Sequence, residues 1–404
     1  MKDRDLHEIT LWLSREGYQG TDEGALIAGF CERCNDKGLR IGRALAIIDT
    51  LHPDFEGRSF HWDSADLEME PVREYETISD DHGRQAWQSS VFYHLMTTDV
   101  DEVHRPFARG AATDYANMPE LKAAGHTDYL AMIHRFTEGG RVGEMDAFFS
   151  SWSTRAAEGF SDDDLRALRI LVPTLALAIK CASSIRIIST LAEVYLGRDA
   201  GEKVVSGRIN RGEVEKIEAV IWFSDLHNYT SISDRTEPEH IIPFLNDYAE
   251  LVVGAIHDHG GSVLKLIGDG VLAIFRSGDR QADCVAALDA ERAVHRNLSE
   301  LNARRLAAGM PATEVYLGLH VGDVLYGNIG SRGRLDFTVV GPCVNQVSRI
   351  SSLCTSVDRD VLMSRDFVDA CPPERSADMV SLGRYALRGV GRATELFTID
   401  PERR

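Results

Sequence analysis

The stretch Lys265-Leu-Ile-Gly-Asp-Gly-Val-Leu-Ala-Ile-Phe275 decides how the rest of the chain is organised. It reads as a strand, a two-residue turn at Gly268-Asp269 and a second strand that is apolar on both faces. Asp-Gly between β-rich runs is the strongest short hairpin signal in a sequence. A carboxylate at that tip suits a hard cation and does nothing for packing. Upstream, Ala219 to Thr230 (AVIWFSDLHNYT) repeats the pattern: an apolar strand runs into Asp225 and then a polar loop. Two strand-end carboxylates, 44 residues apart, are the donor set that a two-metal phosphate site needs.

Bulk composition narrows the setting. At 404 residues the chain exceeds one ordinary core, so two domains are expected. Apolar residues make up 44% and charged residues 26%, a globular balance. A net charge of −19 argues against nucleic acid or an anionic membrane as partner. A nucleotide substrate would have to be drawn in locally, by metal and a few basic groups. The opening MKDRDLHEIT has no apolar signal-peptide core. The most apolar window, Leu165 to Ile179, carries Arg166, Arg169 and Pro173, and reads as too short and too charged to span a bilayer. Seven cysteines at scattered spacing fit reduced thiols in a cytoplasmic protein. Cys31 and Cys34 form a lone C-x-x-C inside a helical pattern, so packing or a solvent-facing thiol is the expected role and a zinc site is not.

Taken in order, residues 1 to about 50 show helical spacing at Leu6, Ile9 and Leu13, then at Ala25, Phe30 and Cys34. Ala44 to Thr50 and Phe60-His61-Trp62 read as strands. Asp128 to Phe136 and Ala147 to Thr154 read as a strand pair turned at Gly139-Gly140, and Asp99 to Lys122 as loop or short helix. Ser161 is an N-cap followed by Asp162, Asp163 and Asp164, which favour the positive end of a helix. Leu165, Leu168, Val172, Leu175, Ile179 and Ala182 follow in a 3-4 rhythm, which then re-phases to Ile185, Ile188, Ala192 and Tyr195. Such a three-residue step is a stammer that overwinds a coiled coil. Pro173 is positioned to kink or split the helix. Two readings stand: an amphipathic helix covering the N-terminal sheet, or a parallel dimer stalk. Gly197 and the polar run to Gly212 mark a boundary. The layout of helix, strands, closing hairpin and exit helix resembles a GAF-type sensory domain. His61, His94, His104, His126 and His134 are scattered and form no ligand pattern.

From about Glu213 strands and helices alternate: strand Ala219–Phe223, helix Glu237–His257, the hairpin, helix Asp279–Leu306, strands Val315–Val321, Val324–Tyr326 and Asp336–Val340, helix Val344–Leu353, and short strands around Tyr385 and Leu396–Ile399. Four motifs occur in series. They are Phe223-Ser-Asp-Leu-His-Asn-Tyr-Thr230, Lys265-Leu-Ile-Gly-Asp-Gly270, His320-Val-Gly-Asp-Val-Leu-Tyr-Gly-Asn-Ile-Gly330 and Thr338-Val-Val-Gly-Pro-Cys-Val-Asn-Gln-Val-Ser-Arg349. Together they resemble the class III nucleotidyl (adenylate/guanylate) cyclase catalytic domain. The fold class is then α+β: a GAF-like α/β sensor over 1–160, an exit helix and coiled-coil-like linker over 161–212, and a cyclase α/β sandwich over 213–404.

The resemblance implies roles for named residues. Asp225 and Asp269, with Leu226 beside them, hold two Mg²⁺ or Mn²⁺ ions per site, since hard cations take oxygen ligands. The loop Leu226 to Thr230 presents backbone groups to the phosphates, which makes Asn228, Tyr229 and Thr230 substrate-binding. Family members commonly carry Gly-Phe where this chain has Asn228-Tyr229, and Asn tolerates positive φ. Asn345 and Arg349, four apart on one helix face, orient the ribose and stabilise the α-phosphoryl. Arg388 stands where the family has a triphosphate-binding lysine. Lys265 falls where adenylate-forming members carry Lys and guanylate-forming members Glu. It can donate to adenine N1 but has no acceptor for guanine N1–H and N2–H₂, while Thr338 can accept from the adenine amino group. The expectation is an adenylate cyclase taking ATP to 3′,5′-cyclic AMP and pyrophosphate, with no nucleic acid or membrane span. It works as a homodimer with shared active sites, under an unidentified small-molecule or protein input to the N-terminal domain. The alternatives are a guanylate cyclase, and a catalytically idle nucleotide-binding or partner-docking module.

Overall fold

The computed structural model describes residues 1–400 apart from 67–68, 77–80, 137–142 and 144, so the turn expected at Gly139-Gly140 lies outside the described residues. The chain forms two compact units, Met1–Leu191 and Ala192–Arg404.

The first unit runs α1 (Asp3–Gln19), α2 (Glu23–Asp36), β1 (Arg43–Asp49), β2 (Gly57–Asp63), β3 (Val72–Tyr75), α3 (Asp81–Gln88), α4 (Val91–Thr97), β4 (Glu102–Arg105), α5 (Met118–Ala123), β5 (Asp128–Arg135), β6 (Ala147–Thr154) and α6 (Asp162–Leu196). Its six strands pair in the order β3-β2-β1-β6-β5-β4, every neighbour antiparallel. One face of the sheet packs against α1, α2 and α6, and the other against α4 and α5. That is why β6 is buried along its whole length. Phe148 and Trp152 enter the first core, while Ala147 and Phe149 enter the second. Cys31 and Cys34 are buried in the first core.

Helix α6 begins on a reciprocal cap: the Asp164 amide donates to Ser161 Oγ (3.2 Å) and the Ser161 amide to Asp164 Oδ2 (3.0 Å). Pro173 neither splits nor ends it, and the helix runs 35 residues. By length and composition alone it could cross a bilayer, although half of its most apolar window is buried in the fold. The expectation that this run is too short to span therefore fails on length, and burial is what marks it as a core helix. The stammer is also corrected. Leu165, Leu168, Val172, Leu175, Ile179, Ala182 and Ile187 form one buried stripe, whereas Ile185 and Ile188 face solvent. The apparent re-phasing is a hand-over between two faces of an ordinary helix, so the covering-helix reading holds for the first. Buried Glu23 fastens that face. It accepts from Ser183 Oγ (3.2 Å), Arg186 Nη2 (2.9 Å) and Arg58 Nη1 (3.1 Å). Burial pushes its carboxyl up, but the hydrogen bonds and charges of Arg186 and Arg58 outweigh that and hold it below the ordinary value.

The second unit continues with α7 (Arg198–Val205), β7 (Val214–Leu226), α8 (Tyr229–Ser233), α9 (Pro238–Asp258), β8 (Ser262–Ile267), β9 (Gly270–Phe275), α10 (Arg280–Ala307), β10 (Val315–Gly330), β11 (Leu335–Val340), α11 (Pro342–Ser352), α12 (Cys354–Val357), β12 (Val361–Ser364), α13 (Arg365–Ala370), α14 (Pro373–Ser376), β13 (Met379–Tyr385) and β14 (Thr394–Ile399). Its sheet is ordered β13-β14-β12-β10-β7-β9-β8, with β11 paired to β10. Helices α9 and α10 share a core with one face, and α7 and α11 with the other. The two strands expected at Val315–Val321 and Val324–Tyr326 are one continuous strand, in register with β7 from Val315↔Leu226 to Gly327↔Val214. Gly322 looked like a break, yet it sits under α11, where a Cβ would come 2.6 Å from Cys343 Sγ. The glycine makes room for a helix and does not end the strand.

Candidate active site

The expected hairpin forms, with Ile267↔Gly270 as the closing pair and Gly268 left-handed at φ +64°. Strand β9 pairs with β7 up to Ser224↔Val271, which brings the tip beside the end of β7. The Leu226 amide lies 3.2 Å from Asp225 Oδ1 and 3.3 Å from Asp269 Oδ2, so both carboxylates reach one N–H. They line a cavity of about 180 Å³ with Ser224, Gly268, Gly270 and apolar residues of α9. Burial first, then the adjoining Asp269, raises the Asp225 carboxyl to about 7. Like charges this close, half out of water, are unfavourable together unless a proton or a cation sits between them. Two carboxylates with the Leu226 main chain fit a hard divalent ion, which would let both ionise. Among the described residues no third His, Cys, Asp or Glu joins them.

Just beyond, Asn228 adopts the left-handed conformation at φ +56°, as its tolerance for positive φ allows. It caps α8, which starts with Tyr229 and Thr230, and the Tyr229 ring stacks 6.4 Å from Phe244. This holds the start of the loop against the core.

A second cavity, of about 580 Å³, contains Lys265, Asp336 and Thr338 over a floor that includes Leu264 and Phe337. Lys265 Nζ donates to Asp336 Oδ2 at 2.6 Å, and both side chains are nearly half exposed. Asp336 is the residue that sequence reasoning missed. The signal was available, because positions 336 and 338 alternate onto one face of β11.

Asn345 is exposed and Arg349 half-buried on α11. Gly389 lies against the Arg349 guanidinium, since a Cβ there would be 3.4 Å from Nη1. Its chain neighbour Arg388 is exposed. Arg349 makes no ion pair among the described residues, unlike a helix-end arginine that merely serves a surface acid. Within one chain three groups of residues come together: Asp225, Leu226 and Asp269; Lys265, Thr338 and the added Asp336; Arg349 with the Arg388 loop. Asn228, Tyr229 and Thr230 follow Leu226 into α8, and Asn345 shares α11 with Arg349. Leu266 lines both cavities, but neither cavity contains Asn345 or Arg349.

Comparison with known proteins gives this arrangement a family. The adenylate and guanylate cyclase catalytic domain matches residues 213–400. An adenylate cyclase of Anabaena cylindrica is 33% identical over 193 residues, 47% of this chain and 38% of that protein. Adenylate cyclase 1 of Rhizobium meliloti is 28% identical over 215 residues, 51% of this chain and 31% of that protein. The chain therefore spans about a third of the length of these curated relatives. The crystal structure of the adenylyl cyclase CyaB from P. aeruginosa is similar at 24% identity and TM-score 0.42, over 46% of this chain and 95% of that one. Residues 213–400 of this chain belong to the adenylate and guanylate cyclase catalytic domain family.

Proposed function

We propose that the protein is a homodimeric adenylate cyclase that converts ATP to 3′,5′-cyclic AMP and pyrophosphate under control of its N-terminal unit. The observation that carries this reading is the pair Asp225 and Asp269 converging on the Leu226 amide. Bound there, a divalent ion such as Mg²⁺ or Mn²⁺ makes the ribose 3′-oxygen more nucleophilic and screens the polyphosphate. The remaining work falls to the chain's own side chains. Lys265 donates to adenine N1 and Thr338 accepts from the amino group, so the base is read at the rim of β8 and β11. Asn345 orients the ribose. As the 3′-oxygen bonds to the α-phosphorus, the bond to the bridging oxygen breaks and pyrophosphate leaves. Charge grows on the α-phosphoryl oxygens, where the unpaired Arg349 guanidinium donates. Arg388 meets the leaving polyphosphate. Within one chain Asn345 and Arg349 do not line the cavity that holds Asp225 and Asp269, which supports sites completed by a second copy.

Asp336 favours a second reading, a guanylate cyclase. Its carboxylate is an acceptor in the same cavity, already on Lys265, and could receive guanine N1–H and N2–H₂. The test is to incubate the purified chain with Mn²⁺ or Mg²⁺ and either ATP or GTP. Cyclic AMP as the main product is expected. Cyclic GMP in excess supports the second reading, and the absence of both products overturns both.

A further inference from the structure

We propose that Thr313, held in place by Tyr248 and Asn302, is a positioning residue for the carboxylate site: through the main chain of His227 it aims the Leu226 carbonyl at Asp225 and Asp269. The inference rests on the proposed metal-binding reading of that pair. Strand β7 lies between β10 and β9, and its last pair with β10 is Leu226↔Val315. One residue on, the His227 amide donates to the Glu314 carbonyl at 2.9 Å, so it points to the β10 side. The Leu226–His227 peptide is trans, and the C=O and N–H of a planar trans peptide point opposite ways. The Leu226 carbonyl is therefore turned to the β9 side, where Asp269 stands. The Leu226 amide faces the same edge, 3.3 Å from Asp269 Oδ2, as the N–H and C=O of one extended residue do. Thr313 fixes the next peptide as well, since its Oγ1 donates to the His227 carbonyl at 2.6 Å. Both peptides flanking His227 are thus tied to residues 313 and 314, just before the left-handed turn at Asn228.

Residues 308–314, which connect α10 to β10, are clamped in turn from two helices. The Thr313 amide donates to Tyr248 Oη on α9 (3.0 Å), and the Thr313 carbonyl accepts from Asn302 Nδ2 on α10 (2.8 Å). Tyr248 Oη donates to Asn302 Oδ1 at 2.6 Å, which closes the ring. Arg305 Nε donates to the Pro311 carbonyl at 2.8 Å, and its guanidinium pairs with Asp247. Tyr248 is 1% exposed, Arg305 3% and Thr313 7%, so all this polarity is buried. Apolar side chains would fill the same volume at lower desolvation cost. A buried polar network specifies one arrangement, because a displacement leaves a donor or acceptor unpaired. What this one places is the Glu314 carbonyl and the Thr313 hydroxyl, the two groups that hold His227. Neither Thr313 nor Asn302 lines the carboxylate cavity, so their effect on it travels through the backbone. The His227 ring lies 4.7 Å from that of Tyr316, which sits opposite Asp225 in the sheet, so this side chain is spent on packing.

The test titrates the full chain with Mn²⁺ alone and reads free Mn²⁺ by electron paramagnetic resonance. Asp269→Ala defines which part of the binding belongs to this site. Thr313→Val keeps the side chain's shape and removes the donor to His227, whereas Thr313→Ser keeps the donor. Thr313→Val should weaken the Mn²⁺ Kd about tenfold, the scale expected when a group that orients a metal ligand is lost. Thr313→Ser should bind as the wild type does. Hydrogen exchange of the metal-free chain, read by mass spectrometry over residues 225–230, should quicken in Thr313→Val and not in Thr313→Ser. If Thr313→Val does not fold, Tyr248→Phe carries the same comparison, because it leaves the Thr313 amide unpaired. Wild-type Mn²⁺ affinity in Thr313→Val and Tyr248→Phe, with only their melting temperatures lowered, overturns the inference and makes the network purely structural. Equal losses in Thr313→Val and Thr313→Ser overturn it too. A chain whose Asp269-dependent Mn²⁺ binding weakens as expected but which makes no cyclic nucleotide leaves the positioning role standing and removes the cyclase reading. Cyclic AMP from the wild type, with Mn²⁺ affinity unchanged in the variants, does the reverse. A wild type without Asp269-dependent Mn²⁺ binding overturns both.

Discussion

In the proposed site Asp225 and Asp269 would hold the metal, and their electrostatics give two predictions. In the metal-free chain Asp225 titrates near 7 in the fold, above its ordinary 3.8. A carboxyl raised on folding binds its proton more tightly in the native state, so its contribution to stability falls as pH rises from about 4 to about 7. Asp269→Asn removes the neighbouring charge. It should raise the metal-free melting temperature at pH 8 by a few degrees, at roughly 2–4 °C per kcal/mol, and abolish the further rise that Mn²⁺ gives the wild type. Turnover by the same variant should fall on the order of 10³-fold, comparable to losing a principal transition-state contact. Unchanged turnover would take Asp269 out of the site. At the other end of the hairpin, Lys265→Glu should lower the ATP-to-GTP ratio of kcat/KM at least tenfold, about 1.4 kcal/mol, while leaving metal stabilisation intact. The strand-end carboxylates and the Asn228 turn were legible because each rests on a local rule of turn geometry. Asp336 was legible only in part: strand alternation puts it on the Thr338 face, but its meeting with Lys265 depends on β8 lying near β11, and contact between elements this far apart in sequence leaves no local mark.

Among the elements, α11 is held close against its support. Gly318 lies under it, and a Cβ there would be 2.6 Å from the Val347 carbonyl oxygen and 2.9 Å from the Ser351 amide. Backbone cannot swing aside, so Gly318→Ala should lift the helix that carries Asn345 and Arg349. The expected loss is about 1–3 kcal/mol of stability, as for overpacking, together with a fall in kcat larger than any change in KM. A variant as stable and active as the wild type would show that α11 tolerates displacement. Helices and strands with long apolar patterns were readable in advance: α9, α10 and β6 fall within a residue of expectation. The errors came where one residue type serves two purposes. Gly322, under α11, fell in the gap between two expected strands, and two stripes on α6 looked like one irregular seam. Short elements also escaped, since β4 buries only Val103 and α3 and α4 span about two turns each.

For the whole molecule, the account needs two copies. The tail of α6, Glu193 to Gly197, lines the Lys265 cavity together with Thr338. A shift of that tail would alter base binding, so removing residues 1–160 should change kcat or KM for ATP in a truncation that is still dimeric. Identical kinetics would leave the N-terminal unit without a regulatory role. The central claim is tested most directly by mixing Asp269→Ala chains with Arg349→Ala chains. Each should be inactive alone. After subunit exchange, half the dimers carry one intact site of two, so an equal mixture should recover about a quarter of wild-type cyclic AMP formation. No recovery in exchanged dimers, or activity in either variant alone, would contradict a site built from Asp225 and Asp269 of one copy with Asn345 and Arg349 of the other.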